Sequence, residues 1–477
     1  MRAPEPGAEI DGFRLGDRLH TGTMAWIYRL LGPEGPLPLV MKIPRLGPGE
    51  PAINVISFEQ CRMVLGALAQ GPHYPTLVAY GDVETTPYLV MEYVEGRPLS
   101  EWMREAPRAA EEVAALGAKL ALALHEIHRQ DVIHLDLKSA NVLYRHGGDA
   151  TVVDFGLAHH GHFPDLLAEE VRTPVGNWEY MSPEQILGIR CDPRSDIFAL
   201  GALLYELATG QLPFGRPRTL VQLRRRLYLE PAPPRAVRAV VPDWLQEVIL
   251  HCLEVDNRKR YASAAEVAFD LANPPQVPRT ERASRSARAG WLQTFGRRMS
   301  TGSFEPAPCP PLTSQAALAP IVLVALAFEQ GDEAGQGDEA LYEALRGAVR
   351  RLCGADGRCR IACATVVPPA AALTGEGEAA TATGRHIRHL VELRRWARPL
   401  ELAEERLTYH VLESEKPAAA LIDYASVNEV DQILVGAPGE GRGPPGSGRG
   451  HWPVDLAAQV ASGAPCSVTI VRARPHG

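Results

Sequence analysis

From Phe13 to about Val94, short apolar runs such as Leu37-Pro38-Leu39-Val40-Met41-Lys42-Ile43 and Tyr88-Leu89-Val90-Met91 alternate with Gly/Pro turns. One three-to-four periodicity interrupts them, from Ile56 to Ala69, so this stretch predicts a mostly β unit holding one helix. From Leu99 to Leu271 the pattern turns helical, with apolar residues repeating at helical spacing over Val113–Ile127 and Asp196–Ala208. Residues 273–316 break both patterns. They hold Asn273-Pro274-Pro275, an Arg/Ser-rich stretch over 279–286 and Pro306-Ala307-Pro308-Cys309-Pro310-Pro311, a composition that predicts a linker. Beyond it, strand-like runs at 321–327, 360–367, 407–412, 432–435 and 467–471 alternate with helical patterns at 338–352, 383–406, 417–426 and 453–462. That alternation predicts a parallel sheet covered on both faces.

A chain of 477 residues exceeds what one hydrophobic core supports, about 250–300 residues, so several domains are expected. Apolar residues at 45% and charged residues at 22% place the whole chain among folded globular proteins. A net charge of −8 gives no pull toward nucleic acid or an anionic membrane, so neither is an expected partner. The longest apolar run, Ile321 to Phe328, is under half of the ~20 residues that cross a bilayer. The start, Met1-Arg2-Ala3-Pro4-Glu5-Pro6-Gly7, lacks the basic head and apolar stretch of a secretion signal, and a cytoplasmic location is expected. The cysteines never form the paired spacing of a zinc site, and Cys353, Cys359 and Cys363 are expected to be buried thiols.

The strongest chemical signal is Val132-Ile133-His134-Leu135-Asp136-Leu137-Lys138-Ser139-Ala140-Asn141-Val142-Leu143, followed by Val152-Val153-Asp154-Phe155-Gly156. Phosphoryl transfer needs a carboxylate at the attacking hydroxyl, a cation at the γ-phosphate and oxygen ligands for magnesium. Asp136, Lys138, Asn141 and Asp154 supply those chemistries in order. Asp154-Phe155-Gly156 alone reads as a turn, but Ser182-Pro183-Glu184 and Ser195-Asp196-Ile197-Phe198-Ala199-Leu200-Gly201 follow it at matching intervals. Together these motifs resemble the bacterial Ser/Thr protein kinases, of the eukaryotic-like family.

The resemblance implies a two-lobed α+β protein kinase fold, with a β-rich N-lobe over about 13–93 and a helical C-lobe over about 94–272. It makes Asp136 the catalytic base, assisted by Lys138, and makes Asn141 and Asp154 the magnesium ligands. Lys42 becomes the partner of the α/β-phosphates. ATP would lie among Leu19, Gly22, Ile27, Lys42 and the hinge Met91-Glu92-Tyr93-Val94, where Glu92 and Val94 meet adenine over Leu143. Glu184 and Arg260 match the family's structural ion pair. Lys138, two residues after Asp136, points to Ser or Thr hydroxyls.

Several positions depart from the family. The phosphate-covering loop Leu19-His20-Thr21-Gly22-Thr23-Met24-Ala25-Trp26-Ile27-Tyr28 keeps only Gly22, with His20 and Ala25 at the other two glycine places, which predicts a stiffer or more open lid and weaker ATP binding. The helix glutamate that pairs with the lysine falls on Cys61. Glu59 lies two residues earlier, about 200° around the helix, so either the helix is shifted or Lys42 lacks that partner. Leu135 replaces the arginine that receives an activation-loop phosphate, so Thr173 is not expected to be an obligatory switch. Asn177 stands where the family places a threonine that bridges the catalytic Asp and Lys.

Residues 317–477 resemble the universal stress protein family, an α/β doubly wound sheet that is often dimeric and sometimes binds ATP. The likeness rests on Val430 to Gly439 and on Ala464 to Arg472. Ala327 and Val454-Asp455 stand where its ATP-binding members carry an aspartate and a Gly-Ser. Gly446-Ser447-Gly448 is displaced, so pairing or sensing is expected here rather than a second nucleotide site. The whole is expected to be an ATP- and Mg2+-dependent Ser/Thr kinase over 1–272, joined by a 273–316 linker to a domain that can homodimerise, and acting in stress signalling on protein substrates and itself. Thr280, Ser284, Ser286 and Ser300 in the linker are expected phosphate acceptors. The rival expectation is a degenerate kinase that serves as a nucleotide-binding scaffold.

Overall fold

The computed structural model describes residues 3–32, 38–47, 50–82, 86–163, 165, 167, 174–287, 320–328, 339–355, 359–369, 382–402, 406–428, 430–437 and 456–472. The first unit is an antiparallel sheet of β1 (Glu9–Ile10), β2 (Phe13–Thr21), β3 (Ala25–Leu31), β4 (Leu39–Pro44), β5 (Leu77–Tyr80) and β6 (Leu89–Glu92), in the order β1-β2-β3-β4-β6-β5. Alternation sorts its side chains. Leu15, Trp26, Tyr28, Met41, Ile43, Tyr88 and Val90 form a core on one face. Ile27, Lys42 and Leu89 are paired in register across β3, β4 and β6 and so share the opposite face, toward the cleft. Helix α1 (Ile53–Ala67) crosses behind it.

The second lobe is built on α2 (Leu99–Arg104) and α3 (Ala110–His128), with the short strands β7 (Gly96–Pro98), β8 (Val132–Ile133), β9 (Val142–Arg145), β10 (Ala150–Val152) and β11 (His159–His160). It continues through α4 (Pro183–Ile186), α5 (Arg194–Thr209), α6 (Asp243–Cys252) and α7 (Ala264–Ala272). A fully buried stripe from α3, with Leu120, Leu124 and Ile127, meets Phe198, Leu203 and Leu204 of α5. α4 starts with a reciprocal cap: Gln185 N–H donates to the Ser182 hydroxyl, and Ser182 N–H donates to the Gln185 side chain.

The expected linker begins as ordered structure. Val277 and Ala283 are buried, and α8 (Glu281–Ser284) lies against α6. Thr280 caps α8 and donates its hydroxyl to Glu247 at 2.8 Å, while Arg282 reaches Glu247 at 2.8 Å and Glu254 at 2.9 Å. Proline and arginine content suggested a free tether, but two apolar residues, the buried Glu247 of α6 and the part-exposed Glu254 just beyond it anchor 277–285. Thr280 is therefore bound by its hydroxyl, Ser284 and Ser286 are exposed, and Ser300 lies outside the described residues.

The C-terminal unit is a five-stranded parallel sheet, β12 (Ile321–Ala325), β13 (Arg360–Val367), β14 (Leu407–Glu413), β15 (Gln432–Ala437) and β16 (Ser467–Arg472), in the order β14-β13-β12-β15-β16. Helices α9 (Glu339–Ala355) and α10 (Ala382–Ala397) pack one face and α11 (Pro417–Val427) and α12 (Leu456–Gly463) the other, giving the doubly wound arrangement. Strand alternation divides the core, with Val322, Val324, Ile361 and Cys363 on one side and Leu323, Ala325, Ala362 and Ala364 on the other. The helical pattern over 383–406 stops at Ala397, because Pro399 follows and cannot extend it. Cys353, Cys359 and Cys363 are buried thiols, as expected, with Cys353 Sγ 3.7 Å from Cys359 Sγ. No helix among the described residues is long and apolar enough to cross a membrane.

Candidate active site

The loop after β8 turns sharply because Leu135 takes a left-handed conformation, φ 60°. Asp196, at the start of α5 and almost fully buried, holds this turn: its carboxylate accepts from the backbone N–H of His134 at 2.8 Å and of Leu135 at 2.9 Å. His128 Nε2 lies 2.9 Å from the same carboxylate. Burial pushes the Asp196 carboxyl upward, but the His128 contact and these N–H donors hold it below the usual carboxylate range. Gln185 closes the loop from the other side by donating to Leu135 O at 2.8 Å.

The anchored turn presents Asp136 with both oxygens engaged. Oδ2 takes Lys138 Nζ at 2.5 Å and Asn141 Nδ2 at 3.2 Å, and Oδ1 takes the Asn177 N–H at 3.0 Å. The Asn177 side chain does not bridge Asp136 and Lys138. Its oxygen accepts from Glu179 N–H at 3.0 Å, so the backbone makes the contact with Asp136 instead.

Opposite this cluster, Lys42 Nζ meets Asp154 Oδ1 at 2.6 Å. Burial alone would lower the Lys42 pKa, but Asp154 outweighs it and the ammonium is held above its ordinary value. Lys42 in turn keeps the Asp154 carboxyl well below the usual range. Asp154 has φ 67°, and His134 links the two loops by facing Val153 O at 3.1 Å and Phe155 edge-to-face at 5.1 Å. Asn141 uses its amide N–H on Asp136, which leaves its carbonyl oxygen, with the Asp154 carboxylate, as a hard-oxygen pair suited to magnesium.

The register of α1 follows the sequence. Cys61, buried, lies within the electrostatic field of Lys42, while Glu59 points elsewhere, to Arg62 at 3.2 Å and to Arg394 of α10 at 2.7 Å. Burial raises the Cys61 pKa, so a neutral thiol fills the place of the lysine's partner. Gly156 is required here, since a Cβ on it would come within 2.1 Å of Ser57 Oγ on α1.

Among the expected ATP contacts, Gly22 forms the β2–β3 turn by donating to Ala25 O at 2.9 Å, and His20 packs against it. Ile27 and Lys42 are direct partners, whereas Leu19 is 43% exposed at the rim. Glu92 directs its carboxylate to Arg145 at 2.6 Å and its N–H to Thr76 O at 2.9 Å, and the Val94 N–H has no backbone partner among the described residues. Leu143 lies on β9. Glu184 and Arg260 form a fully buried ion pair at 2.6 Å. In the C-terminal unit Ala327 follows β12, and Gly436 is needed for packing, because a Cβ there would meet Leu341 of α9 at 2.8 Å. Gly439, Gly446-Ser447-Gly448 and Val454-Asp455 lie outside the described residues. Asp196 is the residue that motif reading named without a role. Its position two residues past Arg194 is local, but its partners are 61 and 62 residues away.

Two family models match the chain: the protein kinase domain over residues 69–270 and the universal stress protein family over residues 334–472. The serine/threonine-protein kinase Pkn1 of Myxococcus xanthus is 38% identical over 224 residues, 45% of this chain and 31% of that protein. PknB of Mycobacterium tuberculosis, also a serine/threonine-protein kinase, is 30% identical over 249 residues, 50% of this chain and 40% of that protein. The crystal structure of the Mycobacterium tuberculosis PknI kinase domain aligns with 57% of this chain and 100% of that one, at 22% identity and a TM-score of 0.44. The chain spans about a third of the length of the curated relatives it matches. It carries a protein kinase domain similar to those of bacterial Ser/Thr kinases, followed by a universal stress protein domain.

Proposed function

We propose that the chain transfers the γ-phosphate of ATP to Ser or Thr hydroxyls of proteins, itself included, through residues 1–272, with residues 317–477 as a regulatory and self-associating domain beyond a 273–316 connection. The observation that carries this reading is the single carboxylate of Asp136 fixed by Lys138, Asn141 and the Asn177 N–H, facing the Lys42–Asp154 pair. A carboxylate oriented from three sides can accept the proton of an attacking hydroxyl, a term of about 10²–10⁴-fold. Lys138 sits beside it, placed to meet negative charge on the transferred group. Lys42 would exchange Asp154 for the α/β-phosphates. Magnesium held by Asn141 and Asp154 would neutralise phosphate charge. The apolar Leu19, Ile27 and Leu143 with the hinge at Glu92 and Val94 suit an adenine ring, and the Val94 N–H, without a backbone partner among the described residues, suits a ring nitrogen.

Retention of Lys42, Asp136, Asn141 and Asp154 together favours catalysis over a scaffold, which needs none of them. For the C-terminal domain, the edge of β16, paired with β15 alone among the described residues, suits strand-edge self-association in the cytoplasm. Purified full chain with γ-labelled ATP and Mg2+ should label itself and an added Ser/Thr protein. Equal incorporation by Asp136→Asn would overturn the assignment.

A further inference from the structure

Helix α1 is buried on all sides over Asn54–Arg62, including the polar Glu59, Gln60 and Arg62. A helix flanking a small sheet ordinarily leaves its polar stripe in water. Here a side chain of α10 in the C-terminal domain, Arg394, meets that stripe at Glu59. Arg394, its side chain 12% exposed, binds Glu59 at 2.7 Å, ion-pairs with Asp82 and stacks over Tyr409 of its own domain at 5.4 Å. Glu59 also takes Arg62 at 3.2 Å, and Arg62 lies over Tyr80 at 5.1 Å. A second contact joins the two domains: Asn428 of the C-terminal domain accepts from Asp165 N–H at 3.1 Å, and Asp165 is held by Arg190 at 2.6 Å. Arg190 in turn donates to Leu157 O at 2.8 Å, in the turn that begins with Phe155.

The inner face of α1 carries the chemistry. Cys61 lies within the electrostatic reach of Lys42, and Ser57 lies against Gly156 beside Asp154. Because Cys61 offers no carboxylate to Lys42, no ion pair ties this helix to the lysine from inside. The charged anchor of α1 is on its outer face and comes from another domain. We infer that Arg394 is a positioning residue for phosphotransfer: by gripping Glu59 it seats α1 against Lys42 and the Asp154 turn, so that the universal stress protein domain sets the geometry of the kinase site. This rests on the phosphotransfer reading above. A displacement near 1 Å at reacting groups costs on the order of 10²-fold, so a loosened α1 is readily seen in rate.

The test uses the full chain as parent, Arg394→Met, Arg394→Lys, Glu59→Gln and the Arg394→Met/Glu59→Gln double variant. Phosphotransfer to casein is followed as kcat and KM for ATP, and amide hydrogen exchange is followed over residues 53–67. Arg394→Met should lower kcat/KM by about tenfold or more and speed exchange in α1, and Arg394→Lys should recover most of both. In the Glu59→Gln background the same substitution should add less than about twofold, since the two side chains act as one unit. Parent-like kcat/KM and exchange in Arg394→Met would overturn the inference, and so would an equal loss in both backgrounds or no recovery by lysine. If the parent itself transfers no phosphate, the functional reading fails, and exchange over 53–67 still decides the coupling: unchanged exchange in Arg394→Met sinks it. Should Arg394→Met not fold, Glu59→Gln carries the comparison, and parent-like exchange and kinetics there overturn the inference.

Discussion

Lys42 Nζ lies 2.6 Å from Asp154 Oδ1, so the lysine of β4 is engaged by the carboxylate of the Asp154-Phe155-Gly156 turn and not by helix α1. Each keeps the other charged: Lys42 titrates above its ordinary range and Asp154 below it. Neither group should therefore contribute a limb to the rate profile between about pH 5 and 9, given ordinary values of ~3.9 and ~10.4. Asp154→Asn should cut phosphotransfer by about 10²-fold or more and raise the Mg2+ needed, measured as initial rate against Mg2+ at fixed ATP.

Asp196 anchors the turn that leads into Asp136 through two backbone N–H groups. Asp196→Ala leaves those donors and His128 without their acceptor, and removing one member of a buried charged cluster costs about 3–5 kcal/mol. Denaturant unfolding should register that loss. The milder Asp196→Asn should lower kcat more than it changes ATP affinity, because the misplaced group is Asp136 and not a nucleotide contact.

Glu184 and Arg260 are both fully buried. Arg260→Met should destabilise by about 3–5 kcal/mol by stranding Glu184, and the double variant Arg260→Met/Glu184→Gln should regain part of it. Additive losses in unfolding experiments would contradict a mutual pair.

Leu135 is buried, and its N–H is held by Asp196, so this loop is ordered without any phosphate partner. Thr173, which lies outside the described residues, should accordingly be dispensable. Thr173→Ala should keep casein phosphorylation within about threefold of the parent, a change of at most about 0.7 kcal/mol in the barrier. A folded but inactive variant would refute this.

His410 is buried on β14, with Thr408 Oγ1 and the Tyr424 hydroxyl each 3.0 Å away, and burial pushes its pKa down to about 3. The unfolded chain takes up a proton near pH 6.5 and the folded one does not. Stability from this group is thus complete above about pH 6.5 and lost as pH falls, by about 2 kcal/mol at pH 5. His410→Gln should shrink the difference in melting temperature between pH 7 and pH 5, and an unchanged difference would assign the acid sensitivity elsewhere.

Period and spacing determined a large part of this protein. Strand alternation placed Val322 and Val324 on one face of the parallel sheet and Leu323 and Ala325 on the other, and the run from His134 to Asn141 forms its cluster largely within itself. Counting residues along α1 likewise put Cys61 at the lysine, and the helix formed in that register. Such features are legible because a helix or strand repeats every few residues, so local order dictates which side chains share a face. Tertiary structure alone decided the rest. Arg394 and Glu59 are 335 residues apart, Asp196 reaches back 62 residues to His134, and Thr280 leaves an apparent linker to bind Glu247. No periodicity encodes those pairings. A buried charge needs a partner, and which one it finds depends on how separately folded surfaces meet.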